Sequence, residues 1–146
     1  MTQEDIKRKQ LILIEYLQNI INEFDNNWLV KAEYSTNDKD KKVVVVQEQS
    51  GQKIVFYGDI TPLYNYYSIN IYGISVEECK NLSLMLGYLI GKDILVDKEY
   101  NGYKEKWQIM FQQFTNPQTL FYEDIRRVGY NSTMKCIVNK VYQEKI

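Results

Sequence analysis

The sequence contains no histidine, two cysteines and two prolines. Without histidine, the chain lacks the side chain that most often serves as a general base near neutral pH and as a metal ligand. Cys79 and Cys136 stand far apart and outside any CxxC motif, so they cannot form the usual zinc site. The spacing of phosphate-binding glycine loops is also missing. We therefore predict no cofactor, no metal site and no enzymatic activity.

Carboxylate pairs are the remaining candidates for catalysis. Glu77 and Glu78 begin a predicted helix, where acidic side chains complement the helix dipole. Glu123 and Asp124 precede two arginines, so a structural ion-pair cluster explains them better than an active site does.

Long apolar runs and an excess of charge of one sign are missing as well. The longest runs have four residues, Leu11 to Ile14 and Val43 to Val46, whereas a membrane-spanning helix needs about 20. The first ten residues, MTQEDIKRKQ, lack the apolar core of a secretion signal. Eighteen Lys and Arg balance nineteen Asp and Glu, for a net charge of −1. We therefore expect no membrane partner.

Two small basic groups are candidates for contacts with nucleic acid. Lys7, Arg8 and Lys9 form one group, and Lys104 and Lys106 form the other. Acidic residues interleave with both, so we interpret them as a solvated helix face and an exposed strand face. Direct nucleic-acid binding is not expected.

What the sequence does have is the composition of one folded domain. Its 146 residues are 45% apolar and 14% aromatic, and thirteen of the aromatic residues are tyrosine. Tyrosine suits subunit interfaces and half-buried strands equally well. Both cysteines lie among apolar residues, which favours buried free thiols over a disulfide.

Hydrophobic periodicity predicts two helices. An apolar stripe runs from about Asp5 to Phe24, and Asp25 to Asn27 end that helix. The second helix begins at Ser75, which forms a capping box with Glu78, and stops at Gly91.

Alternating and β-branched segments predict the strands. They are Trp28 to Tyr34, Val43 to Gln49, Lys53 to Tyr57, Tyr64 to Tyr72, Tyr103 to Phe114 and Asn131 to Tyr142. The second and third should form two strands around the turn at Ser50-Gly51. Ile94 to Val96 allows either a short strand or a docked connector. Ser35 to Lys42 is entirely polar and predicts a solvated loop.

The segment between Phe114 and Asn131 allows two structures. Asn116 as cap, Pro117 and Gly129 permit a short helix. The alternative is an extended arm leading into the last strand. The element order predicts a single α+β domain over residues 1–146, with a mostly antiparallel sheet and both helices packed on one face.

Two segments carry a resemblance to a known family. Tyr64 to Leu89 reads YNYYSINIYGISVEECKNLSLMLGYL, and Asn116 to Tyr142 reads NPQTLFYEDIRRVGYNSTMKCIVNKVY. Together they resemble the tail terminator, or tail completion, proteins of tailed bacteriophages and of phage-like contractile particles. The residues that carry the resemblance are Tyr72, Gly73, Ser75, Glu78, Leu82, Pro117, Tyr122, Asp124, Arg126, Arg127, Asn139 and Tyr142.

The resemblance implies a structural protein without catalytic residues. Such a protein assembles as a ring, typically a hexamer, on the tail tube, stops its polymerisation and presents a docking surface for the neck. The implied partners are further copies of the chain, the tail tube protein, the sheath protein in a contractile tail and neck proteins in particles with a head. The implied location is the virion or a phage-like particle, assembled in the bacterial cytoplasm.

A cyclic ring needs two different patches on each subunit. Protruding charged segments and tyrosines are the candidates, namely Asp38, Lys39, Asp40, Tyr64, Tyr66, Glu123, Asp124, Arg126 and Arg127. Two alternatives stay open: another ring-forming neck, connector or minor capsid protein, and a monomeric regulatory binding module.

Overall fold

The structure, a computed structural model, describes residues 3–33, 35, 41–49, 54–56, 59–61, 66–114, 118–122 and 127–146. Those residues form two helices and nine strands. The predicted α+β fold class is confirmed. The elements are α1 (Gln3–Phe24), β1 (Leu29–Lys31), β2 (Val43–Gln49), β3 (Ile54–Phe56), β4 (Asp59–Thr61), β5 (Tyr66–Gly73), α2 (Val76–Gly87), β6 (Ile94–Tyr100), β7 (Tyr103–Phe114), β8 (Gln118–Tyr122) and β9 (Arg127–Lys145).

Helix α1 follows the predicted apolar stripe. Leu13, Leu17 and Ile21 recur four residues apart and are fully buried. The backbone N–H of Asp25 still bonds to the Ile21 carbonyl at 2.7 Å. The Asp25 carboxylate then accepts from the N–H of Asn27 at 3.0 Å, and this local bond turns the chain out of the helix.

The main sheet has seven strands centred on β9. Its order is β1-β2-β5-β9-β7-β6, and β8 also pairs with β9. β1 is parallel to β2, and every other pair in this sheet is antiparallel. The mostly antiparallel sheet is therefore confirmed.

The segment after β7 is extended and not helical where the structure describes it. β8 pairs with the first residues of β9, from Gln118 opposite Asn131 to Tyr122 opposite Arg127. β9 consequently begins at Arg127, four residues earlier than predicted, and Gly129 lies inside it. Thr, Leu, Phe and Tyr in QTLFY favour a strand with a partner beside it, which overrides the local helix signals.

The predicted pairing of Val43 to Gln49 with Lys53 to Tyr57 is wrong. β2 pairs with β1 and β5, whereas β3 pairs with β4 in a separate two-stranded sheet. The glycine-containing turn suggested a local hairpin, but β2 gains two neighbours within the main sheet instead. Residues 59–61, for which no strand was predicted, form β4.

β5 leads into α2 through a tight junction at Gly73. A Cβ atom at position 73 would overlap Cys79 Sγ and lie 3.3 Å from Cη2 of Trp28. Ser75 caps α2 as predicted, because its Oγ accepts from the N–H of Glu78 at 3.3 Å. The helix ends at Gly87, before the predicted stop at Gly91.

One hydrophobic core joins both helices to the sheet. It contains Leu13, Leu17 and Ile21 of α1, Cys79, Leu82 and Leu86 of α2, and strand residues that include Val44, Val46, Tyr67, Ile69, Ile71, Trp107, Ile109, Phe111, Cys136 and Val138. Both cysteines are buried and free, as predicted. Ser68 of β5 is buried as well.

Candidate interaction surface

Strand β6 lies at one end of the main sheet. It is seven residues long rather than the predicted three, and it pairs with β7 from Ile94 opposite Ile109 to Tyr100 opposite Tyr103. The Asn101-Gly102 turn joins the two strands, with φ of 50° and 80° respectively. These positive φ values are those of a type I′ hairpin turn, which Asn-Gly favours.

The outward side chains of β6, β7 and β9 form one surface of mixed charge, which we call the β6 surface. Leu95 lies at one end of this surface and is 54% exposed. Lys106 Nζ lies 3.9 Å from Asp97 Oδ1, and the Tyr142 hydroxyl donates to Glu144 at 2.8 Å. That hydrogen bond raises the pKa of Tyr142. The surface consists of Leu95, Asp97, Glu99, Lys104, Lys106, Tyr142 and Glu144.

An open groove of about 480 Å³ runs along this surface, and Glu105 is among the residues that line it. Acidic and basic side chains alternate along the groove, so no single sign of charge dominates it. This chemistry suits another protein surface with its own mixture of charges better than it suits nucleic acid, which needs a basic face. The lining residues are Asp97, Lys98, Glu99, Lys104, Glu105, Lys106, Tyr142 and Glu144.

A buried ion cluster fixes α1 to these strands. Arg8 donates from both terminal nitrogens to the carboxylate of Glu105, and Lys140 Nζ lies 3.4 Å from that carboxylate. The Arg8 guanidinium also stacks on Tyr100, with Cζ 3.7 Å from the ring centroid. The hydrogen bond from Arg8 lowers the pKa of Glu105, and Lys140 adds to the effect. Burial removes solvent from both charges at a cost, and their pairing offsets that cost.

A second cluster joins α1, β2 and α2. Lys42 Nζ lies 3.2 Å from Asp25 Oδ2 and 3.1 Å from Glu78 Oε1. It also lies 5.6 Å from the centroid of a Trp28 ring. Glu78 therefore has a structural role at the start of α2.

Most of the predicted interface residues lie outside the described residues. These are Asp38, Lys39, Asp40, Tyr64, Glu123, Asp124 and Arg126. The backbone of Tyr66 begins β5, where it lies opposite Gln49 and Ile137. Arg127 begins β9 opposite Tyr122. The structure thus places Tyr66 and Arg127 at strand ends, and all of the interface assignments stay predictions.

The structure corrects the interpretation of the basic group on α1. Lys7, Arg8 and Lys9 were interpreted as a solvated helix face, but Lys9 is buried and Arg8 is partly buried through its ion pair with Glu105. Sequence reasoning also missed Glu105 as the partner of Arg8. The two residues are 97 positions apart, and nothing in their local sequence connects them. A weak signal was available in the position of Glu105 itself, on the face of β7 that buries Trp107 and Ile109.

No catalytic arrangement emerges from the part of the chain that the structure describes. Its His, Cys, Asp and Glu residues form no group of three or more that could hold a metal ion. Burial raises the pKa of the Cys136 thiol and of the Tyr67 hydroxyl, which disfavours their reactive, ionised forms. Among the described residues, no helix is long and apolar enough to cross a membrane.

Comparison with known proteins finds no matching family model, and no curated protein or solved structure matches the chain.

Proposed function

We propose that this protein is a structural component of a bacteriophage tail or of a phage-like particle, and that it forms a ring at the head-proximal end of the tail tube. In this role it ends tube polymerisation and presents the docking surface for the neck. Its partners are further copies of itself, the tube protein, the sheath protein in a contractile tail and neck proteins where a head is present. It has no catalytic activity.

The observation that carries the proposal is the meeting of the two segments that resemble tail terminators. The first segment forms β5 and α2, and the second forms β8 and β9. β5 pairs with β9 from Tyr66 opposite Ile137 to Gly73 opposite Val128. Two stretches that are distant in the sequence therefore build one unit, which is what a shared fold would require of them.

The β6 surface supplies one of the two patches that a ring needs. In the register that would pair the whole of β6 with its own copy, Asp97 would lie opposite Asp97. Like charges directly opposite each other destabilise a strand pair, so symmetric pairing of two β6 strands is disfavoured. A contact between this surface and a different surface of the next subunit avoids that repulsion and generates a cyclic ring.

Mass measurement tests ring formation. Native mass spectrometry and sedimentation velocity should show an oligomer, with six subunits as the expected number, that grows in population with protein concentration. Negative-stain images of the same sample should show rings. A monomer at all concentrations would contradict the proposal and would favour the regulatory binding module.

A matched pair of variants tests the β6 surface. Leu95→Asp places a charge at the apolar end of this surface, whereas Leu84→Asp changes an equally apolar side chain on the exposed side of α2, where Leu84 is 64% exposed. We expect Leu95→Asp to abolish the ring with an unchanged monomer melting temperature, and Leu84→Asp to retain the ring. Equal assembly of both variants would exclude the β6 surface as a subunit contact.

Tail length separates a terminator from other rings of the particle. When tubes are assembled from the tube protein of the same particle, addition of this protein should give tubes of stable length with a ring at one end. A neck, connector or minor capsid protein would leave tube growth unchanged and bind elsewhere. Binding to sheared DNA instead of tubes would favour a connector.

A further inference from the structure

The edge of the main sheet opposite β6 is occupied by a side chain of α1. The Gln18 amide nitrogen, Nε2, donates to the Trp28 carbonyl at 2.9 Å. The Gln18 amide oxygen, Oε1, accepts from the backbone N–H of Val30 at 2.8 Å. One side chain therefore bonds to two backbone groups on either side of Leu29.

These two bonds reproduce the pattern of a parallel strand. The N–H of Leu29 points toward β2 and donates to the Lys42 carbonyl at 3.0 Å, so the Trp28 carbonyl and the Val30 N–H point away from the sheet. In a parallel pair, a residue opposite Leu29 would donate to the first group and accept from the second. The Gln18 amide does both.

A second glutamine of α1 continues this contact beyond the end of β1. Lys31 is the last residue of β1 and lies opposite Val45. Gln10 Nε2 donates to the Val46 carbonyl at 2.9 Å, the next residue along β2. Gln10 and Gln18 thus satisfy three backbone groups along one sheet edge, which we call the β1–β2 edge.

The glutamines are held in place from both sides. Gln18 Nε2 uses its second hydrogen to donate to Asn22 Oδ1 at 2.8 Å. Leu13, Leu17 and Ile21 of the same helix are fully buried. The position of α1 is therefore fixed by the core, which holds the backbone of both glutamines beside the edge.

The β1–β2 edge needs such protection more than the β6 edge does. β6 carries Asp97, Lys98 and Glu99, and charged residues are a common guard against strand addition. β1 begins with Leu29 and Val30, and Leu29 is 41% exposed. An apolar edge with unpaired backbone groups is a template for pairing with another chain.

We propose that Gln18, assisted by Gln10, closes the β1–β2 edge and so prevents a strand of a second copy of this chain from pairing with β1. This inference does not depend on the proposed ring, because pairing of a second copy with β1 is a separate contact, and the unmodified protein prevents it. Assembly through the β6 surface leaves the β1–β2 edge closed.

Hydrogen exchange tests the closure directly. Gln18→Met keeps the length of the side chain and its helix propensity but removes both bonds to β1. In dilute protein, the Val30 amide should exchange about fivefold faster in this variant, the factor that one net hydrogen bond represents. The matched control is Gln47→Met, because Gln47 lies on β2 and meets the side chain of Asn70 rather than an edge. An unchanged Val30 rate in Gln18→Met would overturn the closure.

Sedimentation velocity over a range of concentrations tests the consequence. Gln18→Met should associate at concentrations about tenfold lower than the unmodified protein, because two backbone groups become available for pairing. The Val30 amide should regain protection in the associated sample. Faster Val30 exchange without any new association would refute the protective role. If Gln18→Met does not fold, the association of Gln10→Met is compared with that of Gln47→Met instead. Equal association of these two variants would refute the protective role of the glutamines.

Discussion

Glu105 shows how one buried charge depends on a distant residue. Its side chain is 2% exposed and receives hydrogen bonds from Arg8, while Lys140 Nζ lies 3.4 Å from the carboxylate and adds a second positive charge. Removal of the carboxylate charge would leave Arg8 buried without its counter-ion. Breaking such a pair costs far more than its formation gains, because the desolvated charge stays behind.

We therefore predict that Glu105→Gln lowers the free energy of unfolding by about 3 kcal/mol near neutral pH. The control is Glu99→Gln on the exposed face of the neighbouring strand, which should change stability by less than about 0.5 kcal/mol. Urea unfolding followed by tryptophan fluorescence measures both. Equal stability of the two variants would mean that the Arg8–Glu105 pair contributes nothing to the fold.

The same variant has a predicted pH dependence. The pKa of Glu105 is lower in the folded chain than in the unfolded chain. Its contribution is therefore fully present above the unfolded pKa, about 4.3, and is lost as the pH falls through the folded value. The melting temperature of the unmodified protein should fall more steeply on acidification through this range than that of Glu105→Gln. Parallel curves would contradict the assignment.

At the scale of elements, the junction between β5 and α2 depends on one missing side chain. Gly73 faces the buried Cys79 and Trp28, so the strand can enter the helix only where no Cβ intervenes. This is also a position that carries the family resemblance. Packing alone therefore explains why glycine is needed at position 73, without any role at an interface.

We predict that Gly73→Ala destabilises the protein by about 1–3 kcal/mol, the usual cost of overpacking a core. Gly73→Ala combined with Cys79→Ala should cost less than the sum of the two single variants, because the added methyl group then occupies the space of the lost sulfur. Thermal unfolding of all three variants forms the double-mutant cycle. Strict additivity would show that the Cβ does not meet Cys79.

Elements with local signals could be predicted, and those with distant partners could not. The stripe of α1 and the Ser75 cap of α2 are written within a few residues, and both were found. Residues 118–122 carry local helix signals around them, yet they form β8 because β9 offers a pairing partner. Strand pairing depends on what lies across the sheet, so the wrong β2–β3 hairpin and the missed length of β6 share one cause.

The β6 surface could not be predicted from the sequence for a related reason. Lys104 and Lys106 were singled out, but Asp97 and Tyr142 join them only through the pairing of β6, β7 and β9. The contact of Gln18 with β1 could not be predicted either, because the local sequence of a helix does not show which of its glutamines will bond to a strand edge. That both helices pack on one face of the sheet stays a prediction, although both contribute to one core.

At the scale of the whole molecule, the net charge of −1 is compatible with a protein that meets several protein surfaces. Long-range attraction to DNA is weak at such a charge. Specific contacts must then come from local pairs and shape. The charged residues between β8 and β9 are candidates for such pairs, because Arg127 begins β9 opposite Tyr122, and Arg126 directly precedes it in the chain.

We predict that Arg126 and Arg127 lie at or beside a contact with a neighbouring subunit or with the tail. An arginine can pair bidentately with a carboxylate across an interface and so fix its register as well as its affinity. The alternative is an ion pair within the chain, with Glu123 or Asp124, that holds this segment onto its own sheet.

Replacing both arginines with alanine separates the two roles. An interface role predicts a folded monomer with an unchanged melting temperature, together with lost rings and tails of uncontrolled length. A matched double variant, Lys104→Ala with Lys106→Ala, removes the same charge from the β6 surface and should weaken assembly without affecting tube binding if the two surfaces meet different partners. A clear loss of monomer stability in the arginine variant would assign both side chains to the fold, because an interface residue leaves the isolated subunit intact.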